Sequence, residues 1–378
     1  MMRILALEPY FGGSHRAFLE GWSAISHHGW TTLTLPPFKW KWRMRHAPVT
    51  LAEEVNRLLA AGETWDIIWC SDMLSLAEFR GLVGRRVSAL PAIAYFHENQ
   101  LTYPVRRQEE RDVHFALTNF TTALAATEVW FNSAFHRDSF LGALTGCLKQ
   151  MPDHQLTDRI DGIRAKSRIQ PQGIREMPQR DPGRAAGPPR LLWAARWEHD
   201  KNPEMFFGAL RILMNRGVGF QVSVVGEQFS SVPEVFAEAR AWLGERVRCW
   251  GYQESRVDYE RALLEADVVV STAAHEFFGV SVVEAIAAGA YPLLPRRLAY
   301  PEILSPDRVE NSDDFFYDGS LEDLVRKLTH LLSLADSGQL WGDDPQRGLK
   351  AVSPYCWKNL GPRLDDALER VRLSSAGT

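Results

Sequence analysis

No run of about 18 consecutive apolar residues occurs in the 378-residue chain, so no membrane-spanning helix is expected and no membrane partner. Cysteine is scarce. Cys70, Cys147, Cys249 and Cys356 are scattered without metal-ligand spacing, which argues against a disulfide framework or a zinc site and predicts a reducing, cytoplasmic setting. The opening Met1-Met2-Arg3-Ile4-Leu5-Ala6-Leu7-Glu8 has too short an apolar run for a secretory signal and reads as a first strand. No complete G-x-G-x-x-G is present, so a dinucleotide fingerprint is unsupported, and no internal repeat is visible. Strong net charge is also missing, at −4 overall. The halves differ, however: residues 1–190 carry 23 Lys and Arg against 19 Asp and Glu, and residues 191–378 carry 20 against 28. Any polyanion is therefore expected to meet the first half.

What is present is alternation. Strand-like runs fall at Arg3–Leu7, Thr31–Leu35, Asp66–Cys70, Ala92–Phe96, Glu128–Asn132 and Arg168–Gln170. They resume at Leu191–Ala194, Gln221–Val225, Val247–Trp250, Asp267–Ser271, Tyr291–Leu294 and Asp314–Tyr317. Helix-like stretches separate them, which predicts parallel sheets with helical crossovers. The proline- and glycine-rich segment 177–190 reads as a linker. The chain thus reads as α/β, with Rossmann-like, doubly wound domains over 1–176 and 191–355 facing a central cleft. A helix over 356–372 is expected to pack back on the first domain. Ligands of such sheets lie outside the carboxyl ends of the strands.

The second domain carries the strongest pattern, His275-Glu276-Phe277-Phe278-Gly279-Val280-Ser281-Val282-Val283-Glu284. It follows the strand ending at Ser271 and enters a helix. Two carboxylates in a Glu-x7-Glu spacing then straddle a corner where free N–H groups carry partial positive charge. Such a corner suits a phosphorylated, polyhydroxylated ligand, although ordinary strand–helix grammar yields the same spacing. Arg196, just past a strand, and Lys201, before the helix led by Pro203, can bind a diphosphate and stabilise it as it leaves. Gly226 and Glu227 end a further strand where a base or ribose can approach.

In the first domain, Gly12 and Gly13 follow a strand and permit close backbone approach, or simply form a turn. Lys39, Trp40, Lys41, Trp42, Arg43 and Arg45 interleave charge with rings, the chemistry of RNA-loop recognition. An amphipathic helix with its tryptophans in the core leaves the same pattern. Arg106 and Arg107 extend the basic patch. His97, Glu98, Asn99 and Gln100 cluster at a strand's end, which suggests a site, with Glu98, Asn99 and Gln100 as candidate acceptor-binding groups.

Arg196-x4-Lys201, then Val225-Gly226-Glu227, then Glu276-x7-Glu284 resembles the retaining glycosyltransferases of the GT-B architecture. The resemblance implies that Arg196 and Lys201 hold the donor diphosphate. Glu276, His97 and the backbone at Phe278, Gly279 and Val280 would meet the donor sugar, with Glu284 on the ribose. No metal or other cofactor is implied. The first-domain stretches Glu8–His15, Lys39–Arg45, Tyr95–Pro104, Phe131–His136 and Met151–His154 resemble the tRNA-queuosine mannosyltransferase family. That likeness implies transfer of mannose from GDP-mannose to the cyclopentenediol of queuosine in the anticodon loop of tRNA-Asp, with an α linkage. One departure is His136, where the resemblance leads one to expect asparagine. Two other readings stay open: transfer to a lipid or small-molecule acceptor, and a non-catalytic sugar- or RNA-binding protein on the same fold.

Overall fold

The computed structural model describes residues 1–104, 112–178, 187–228 and 232–376. It forms two compact units, Met1–Gly173 with Trp357–Thr378, and Ile174–Cys356. Of the expected linker, residues 179–186 lie outside the described residues.

The first unit contains β1 (Arg3–Glu8), β2 (Gly29–Thr34), β3 (Ile67–Ser71), β4 (Ala92–Phe96), β5 (Glu128–Phe131) and β6 (Ser167–Ile169). They form one parallel sheet in the order β2-β1-β3-β4-β5-β6. Both faces are covered, so the central strands are continuous apolar runs rather than alternating ones. In β1, Leu5 and Leu7 enter one core while Ile4 and Ala6 enter the other. The C-terminal helix, Trp357–Ala376, supplies Trp357, Leu360, Leu364 and Leu368 to the second of these cores. Its buried Asp365 accepts from Trp22 Nε1 at 2.7 Å, Ser26 Oγ at 2.9 Å and the His27 amide at 3.1 Å. Gly21 and Gly173 leave room for Trp357, because a Cβ at either would lie 2.2 or 2.4 Å from its indole.

The second unit contains β7 (Arg190–Ala194), β8 (Gln221–Val225), β9 (Val247–Gly251), β10 (Val268–Val270), β11 (Tyr291–Pro295) and β12 (Phe316–Tyr317). Their order is β12-β11-β10-β7-β8-β9, again parallel. Each sheet therefore reverses its winding beside its first strand, between β1 and β3 in one and between β7 and β10 in the other. The crevice outside the carboxyl ends at such a point is where doubly wound sheets take ligands.

Candidate active site

At the switch point of the second sheet, the chain after β7 turns through His199–Lys201 and a left-handed Asn202 (φ 50°). Asn202 then caps the helix Pro203–Asn215, which begins on proline. This turn delivers Lys201 into the interior, where it is 4% exposed. Its Nζ donates to the His275 carbonyl at 2.7 Å and lies 3.0 Å from Asp200 Oδ2 and 3.3 Å from Glu276 Oε2. The loops after β7 and β10 are further tied by Ala274 N–H to the Asp200 carbonyl at 2.8 Å and Thr272 Oγ1 to the Lys201 carbonyl at 2.8 Å.

Burial opposes the charge on Lys201, but Glu276 and Asp200 outweigh it and raise the ammonium above its ordinary value. Burial likewise opposes ionisation of Glu276, and Lys201 and Arg196 reverse that and hold the carboxyl below its usual range. Glu276 Oε1 also accepts from the amides of Phe277 at 3.1 Å and Phe278 at 3.4 Å. The Phe278 ring itself is core, edge-on to Tyr355 at 5.2 Å. Gly279, at φ 88°, caps the helix Val280–Ala287. Arg196 is half-buried, with Nε 3.3 Å from Glu198 Oε2. Gly226 admits no side chain: a Cβ there would sit 1.7 Å from the Ala195 carbonyl oxygen. Trp197 N–H donates to the Glu227 carbonyl at 2.9 Å, joining the ends of β7 and β8.

Glu284 lies one helical turn into Val280–Ala287 and is 8% exposed. Its Oε1 accepts from Arg256 Nη2 at 3.0 Å and its Oε2 from the Tyr259 hydroxyl at 2.8 Å. Each oxygen keeps a further lone pair for a ligand hydroxyl. Arg256 and Tyr259 carry no motif that the sequence reading used.

The first unit gathers a different set at its own switch point. Glu8 ends β1 fully buried; its Oε1 accepts from Tyr10 N–H at 2.8 Å and Ser71 Oγ at 2.9 Å, and its Oε2 lies 3.1 Å from His15 Nδ1. Burial works against a charged His15, yet Glu8 overcomes it and raises the imidazole to about 9. The His15 ring stacks on His97, centroids 3.9 Å apart. Glu8, His15 and His97 offer ligand-type atoms within 4.8 Å of one another, the composition of a metal-binding set.

Asp72, after β3, accepts from the His97 amide at 2.9 Å. Asn132 donates to the His97 carbonyl at 3.0 Å, and Gln172 Nε2 lies 2.8 Å from His97 Nδ1. His136 is fully buried, its Nδ1 2.9 Å from Asn132 Oδ1, so the departure from asparagine sits behind the residue that holds the His97 backbone. Asn99 shapes a turn, its Oδ1 accepting from the amides of Leu101 at 3.1 Å and Thr102 at 2.9 Å. Gln100 Nε2 donates to half-buried Glu98 at 3.3 Å. Gly13 needs its positive φ of 50°, whereas Gly12 gives way to Pro37, 2.5 Å from a Cβ built there.

The basic and aromatic segment divides. Lys39 caps the helix Trp40–Ala60, and Lys39, Lys41 and Arg45 are exposed, as are Phe38 at 55% and Trp42 at 62%. Trp40 is half-buried against a small cluster of Met44, Met73 and Phe115. Arg43 is buried and donates to the Pro36 carbonyl at 3.0 Å and to His46 Nε2 at 2.6 Å. Arg45 lies 4.8 Å over the Phe115 ring. Arg106 and Arg107 lie outside the described residues.

Sequence reasoning missed Glu8, Asp72 and Gln172 as site residues, and Asp200 beside Lys201. Glu8 and Asp72 had one available signal: each is an acid at the end of an apolar strand.

Among solved structures, the chain resembles Anabaena HepE in complex with UDP and glucose at TM-score 0.68 and 13% identity, covering 98% of this chain and 100% of that one. Sucrose-phosphate synthase from Thermosynechococcus elongatus matches at TM-score 0.70 and 14% identity, covering 99% and 100%. These likenesses give the fold, the two-domain α/β GT-B architecture. The tRNA-queuosine alpha-mannosyltransferase N-terminal family model matches residues 3–174, and the glycosyl transferases group 1 model matches residues 175–343. A tRNA-queuosine alpha-mannosyltransferase of Drosophila melanogaster is 36% identical over 327 residues, 82% of this chain and 84% of that protein. The chain therefore belongs to the tRNA-queuosine alpha-mannosyltransferase family and is a glycosyltransferase.

Proposed function

We propose that this chain transfers mannose from GDP-mannose to the cyclopentenediol of queuosine in tRNA-Asp, with retention and without a metal ion, in the cytoplasm. The observation that carries the donor half is the buried Lys201 between Asp200 and Glu276 at the carboxyl ends of β7 and β10. The donor diphosphate takes over Arg196 from Glu198 and shares the field of Lys201. Glu276, kept ionised, accepts hydrogen bonds from mannose hydroxyls. Glu284, fixed on one side by Arg256 and Tyr259, accepts from the ribose diol.

In the reaction the bond between mannose C1 and the GDP oxygen breaks. The acceptor hydroxyl oxygen bonds to C1 on the same face, and its proton passes to the departing phosphate oxygen. Negative charge grows on GDP as it leaves, and Arg196 and Lys201 offset it without rearranging. The cations do the work a metal would otherwise do.

For the acceptor, the exposed Phe38, Trp42, Lys39, Lys41 and Arg45 supply rings for bases and cations for phosphates. The wobble nucleoside leaves the loop stack to present its diol. The test is incubation with radiolabelled GDP-mannose and tRNA from cells with and without queuosine. Label confined to the queuosine pool supports the reading. Equal labelling of both pools refutes it, and donor turnover with label in neither assigns the enzyme to a lipid or small-molecule acceptor.

A further inference from the structure

Gln172 stands two residues before the chain enters the second unit and is 3% exposed. Its side-chain nitrogen lies 2.8 Å from His97 Nδ1. An amide N–H that donates to a ring nitrogen needs that nitrogen bare, so a neutral ring must carry its proton on Nε2. His97 Nε2 is itself buried and has no hydrogen-bond partner among the described residues. A buried N–H that no described residue accepts from is poised for an atom of a ligand.

The groups around the ring decide its charge. From β1, Glu8 anchors His15, which projects from the helix Gly13–Ser23 and stacks on His97 at 3.9 Å with 27° between the planes. From β4, Tyr95 packs on the ring at 4.6 Å. After β3, Asp72 takes the His97 amide rather than its ring. His136, on the helix Ala134–Leu148, reaches Asn132, which holds the His97 carbonyl. Glu98 is the next residue along the chain and half-buried. Burial first, and then the charges of His15 and His136, oppose a second proton on His97.

We propose that Gln172, acting with the Glu8–His15 pair, is a positioning residue that holds His97 as a neutral ring with its proton on Nε2, aimed to donate to a sugar hydroxyl. The identity of that hydroxyl rests on the mannosyl-transfer reading above; the proton's place does not. With the opposite amide orientation the proton would sit on Nδ1 and His97 would accept instead of donate.

The experiment uses the full chain with ¹⁵N-labelled histidine, the His97 signals being those lost in His97→Gln. Between pH 6 and 8 the wild type is expected to show a protonated Nε2, a bare Nδ1 and no titration. Gln172→Glu, which can only accept, is expected to move the proton to Nδ1 and make the ring titrate. Its kcat/KM for transfer to queuosine-tRNA should fall on the order of 10²-fold, as when one preorganised donor is lost. Gln172→Met, which imposes neither tautomer, should give a mixture and a smaller loss. A wild-type ring protonated on Nδ1, or on both nitrogens at pH 7, overturns the proposal. So does a Gln172→Glu enzyme with unchanged nitrogen signals and rate. If Gln172→Glu does not fold, the wild-type signals alone decide. If the Nε2 proton is found but queuosine-tRNA is not labelled, the positioning role stands and the substrate reading falls.

Discussion

Lys201→Met is the substitution that most directly probes the second unit's site. Methionine keeps the apolar stem and removes the ammonium. That ammonium sits 3.0 Å from one carboxylate and 3.3 Å from another, all three side chains being at least three-quarters buried. Coulomb's law at an effective dielectric of about 20 puts each attraction near 5 kcal/mol before desolvation. Burying the three ions cancels much of this, so the measured effect follows from the stranded carboxylates: a loss of about 3–5 kcal/mol in unfolding free energy. Turnover should fall about 10²–10³-fold, the effect of removing one preorganised charge from a developing anion. The two effects separate in a cycle with Glu276→Gln. Neutralising Glu276 should restore part of the stability lost in Lys201→Met, with Asp200 still stranded, but leave turnover low. The acid limb offers a second check. Lys201 keeps the Glu276 carboxyl below its ordinary range, so the wild type gains stability above that range and loses it as pH falls through the lowered value. Lys201→Met should lose this slope. Urea titrations across pH and label transfer to queuosine-tRNA measure both arms. A folded Lys201→Met enzyme within threefold of wild-type turnover would refute the assigned role.

In the first unit, the raised His15 contributes stability that is complete below about 6.5 and lost as pH climbs through about 9, at most about 3 kcal/mol. Glu8→Gln should flatten that alkaline decline in a urea series, and an unchanged slope would place the proton elsewhere. Gly226→Ala drives a Cβ to 1.7 Å from the Ala195 carbonyl, so the ends of β7 and β8 must part beside Arg196. It should cost about 3 kcal/mol and depress turnover; a thermal melt matching wild type would be inconsistent with the close approach. Trp42→Ala removes a side chain 62% exposed, so stability should stay within about 0.5 kcal/mol while tRNA binding weakens by about 1–3 kcal/mol, the contribution of one base stack. Replacing Lys39 or Lys41 should weaken binding across tRNA species and lower the salt slope by about 1 each, read by filter binding. Unchanged tRNA affinity in all three variants would move the RNA surface off this helix end.

The central strands were legible because parallel strands buried on both faces are unbroken apolar runs, which the partly exposed β2, β6 and β9 are not. The ends slipped by a residue or two, where backbone bonding runs on past the regular strand. Asp267, read as strand, lies one residue before β10; its backbone still bonds Arg190 at 2.8 Å and Tyr291 at 2.7 Å, and its side chain also accepts from the Arg190 amide at 2.8 Å. The second unit's site was legible through spacing, since Lys201, Glu276 and Glu284 sit on loops and a helix start that a local pattern marks. Its supporting groups were not, because Arg256 and Tyr259 meet Glu284 from 28 and 25 residues away. The first unit's site was harder. His97 depends on Asp72 and Gln172, which lie 25 and 75 residues off and belong to no local pattern. The basic and aromatic run was half legible: alternation of charge and ring could not tell exposed Trp42 from half-buried Trp40 or buried Arg43, because helical phase sorted them.

The two switch points solve one physical problem in opposite ways. Where a sheet's first strand parts its connections, the strand ends are buried yet polar, and something must tie neighbouring loops together. In the first sheet an anion does this: Glu8 joins the Tyr10 amide, the Ser71 hydroxyl at the end of β3 and His15. In the second a cation does it: Lys201 joins Asp200, Glu276 and the His275 carbonyl. Lys201 and the nearby Arg196 bring two cations to the carboxyl edge of the second sheet, and a phosphate that draws on them competes with Asp200, Glu276 and Glu198. A buried acid whose partner cation lies under a neutral ring offers a ligand little net charge. It offers hydrogen bonds, which suits an uncharged, hydroxylated group. On the proposed reaction Lys201 and Arg196 draw the sugar nucleotide's phosphates to the second sheet, which makes Glu8→Gln and Lys201→Met opposite tests. The first should spare nucleotide binding and disturb transfer, and the second should impair both. Calorimetric titration with GDP alone would separate them, and equal losses of GDP affinity in the two variants would defeat the argument.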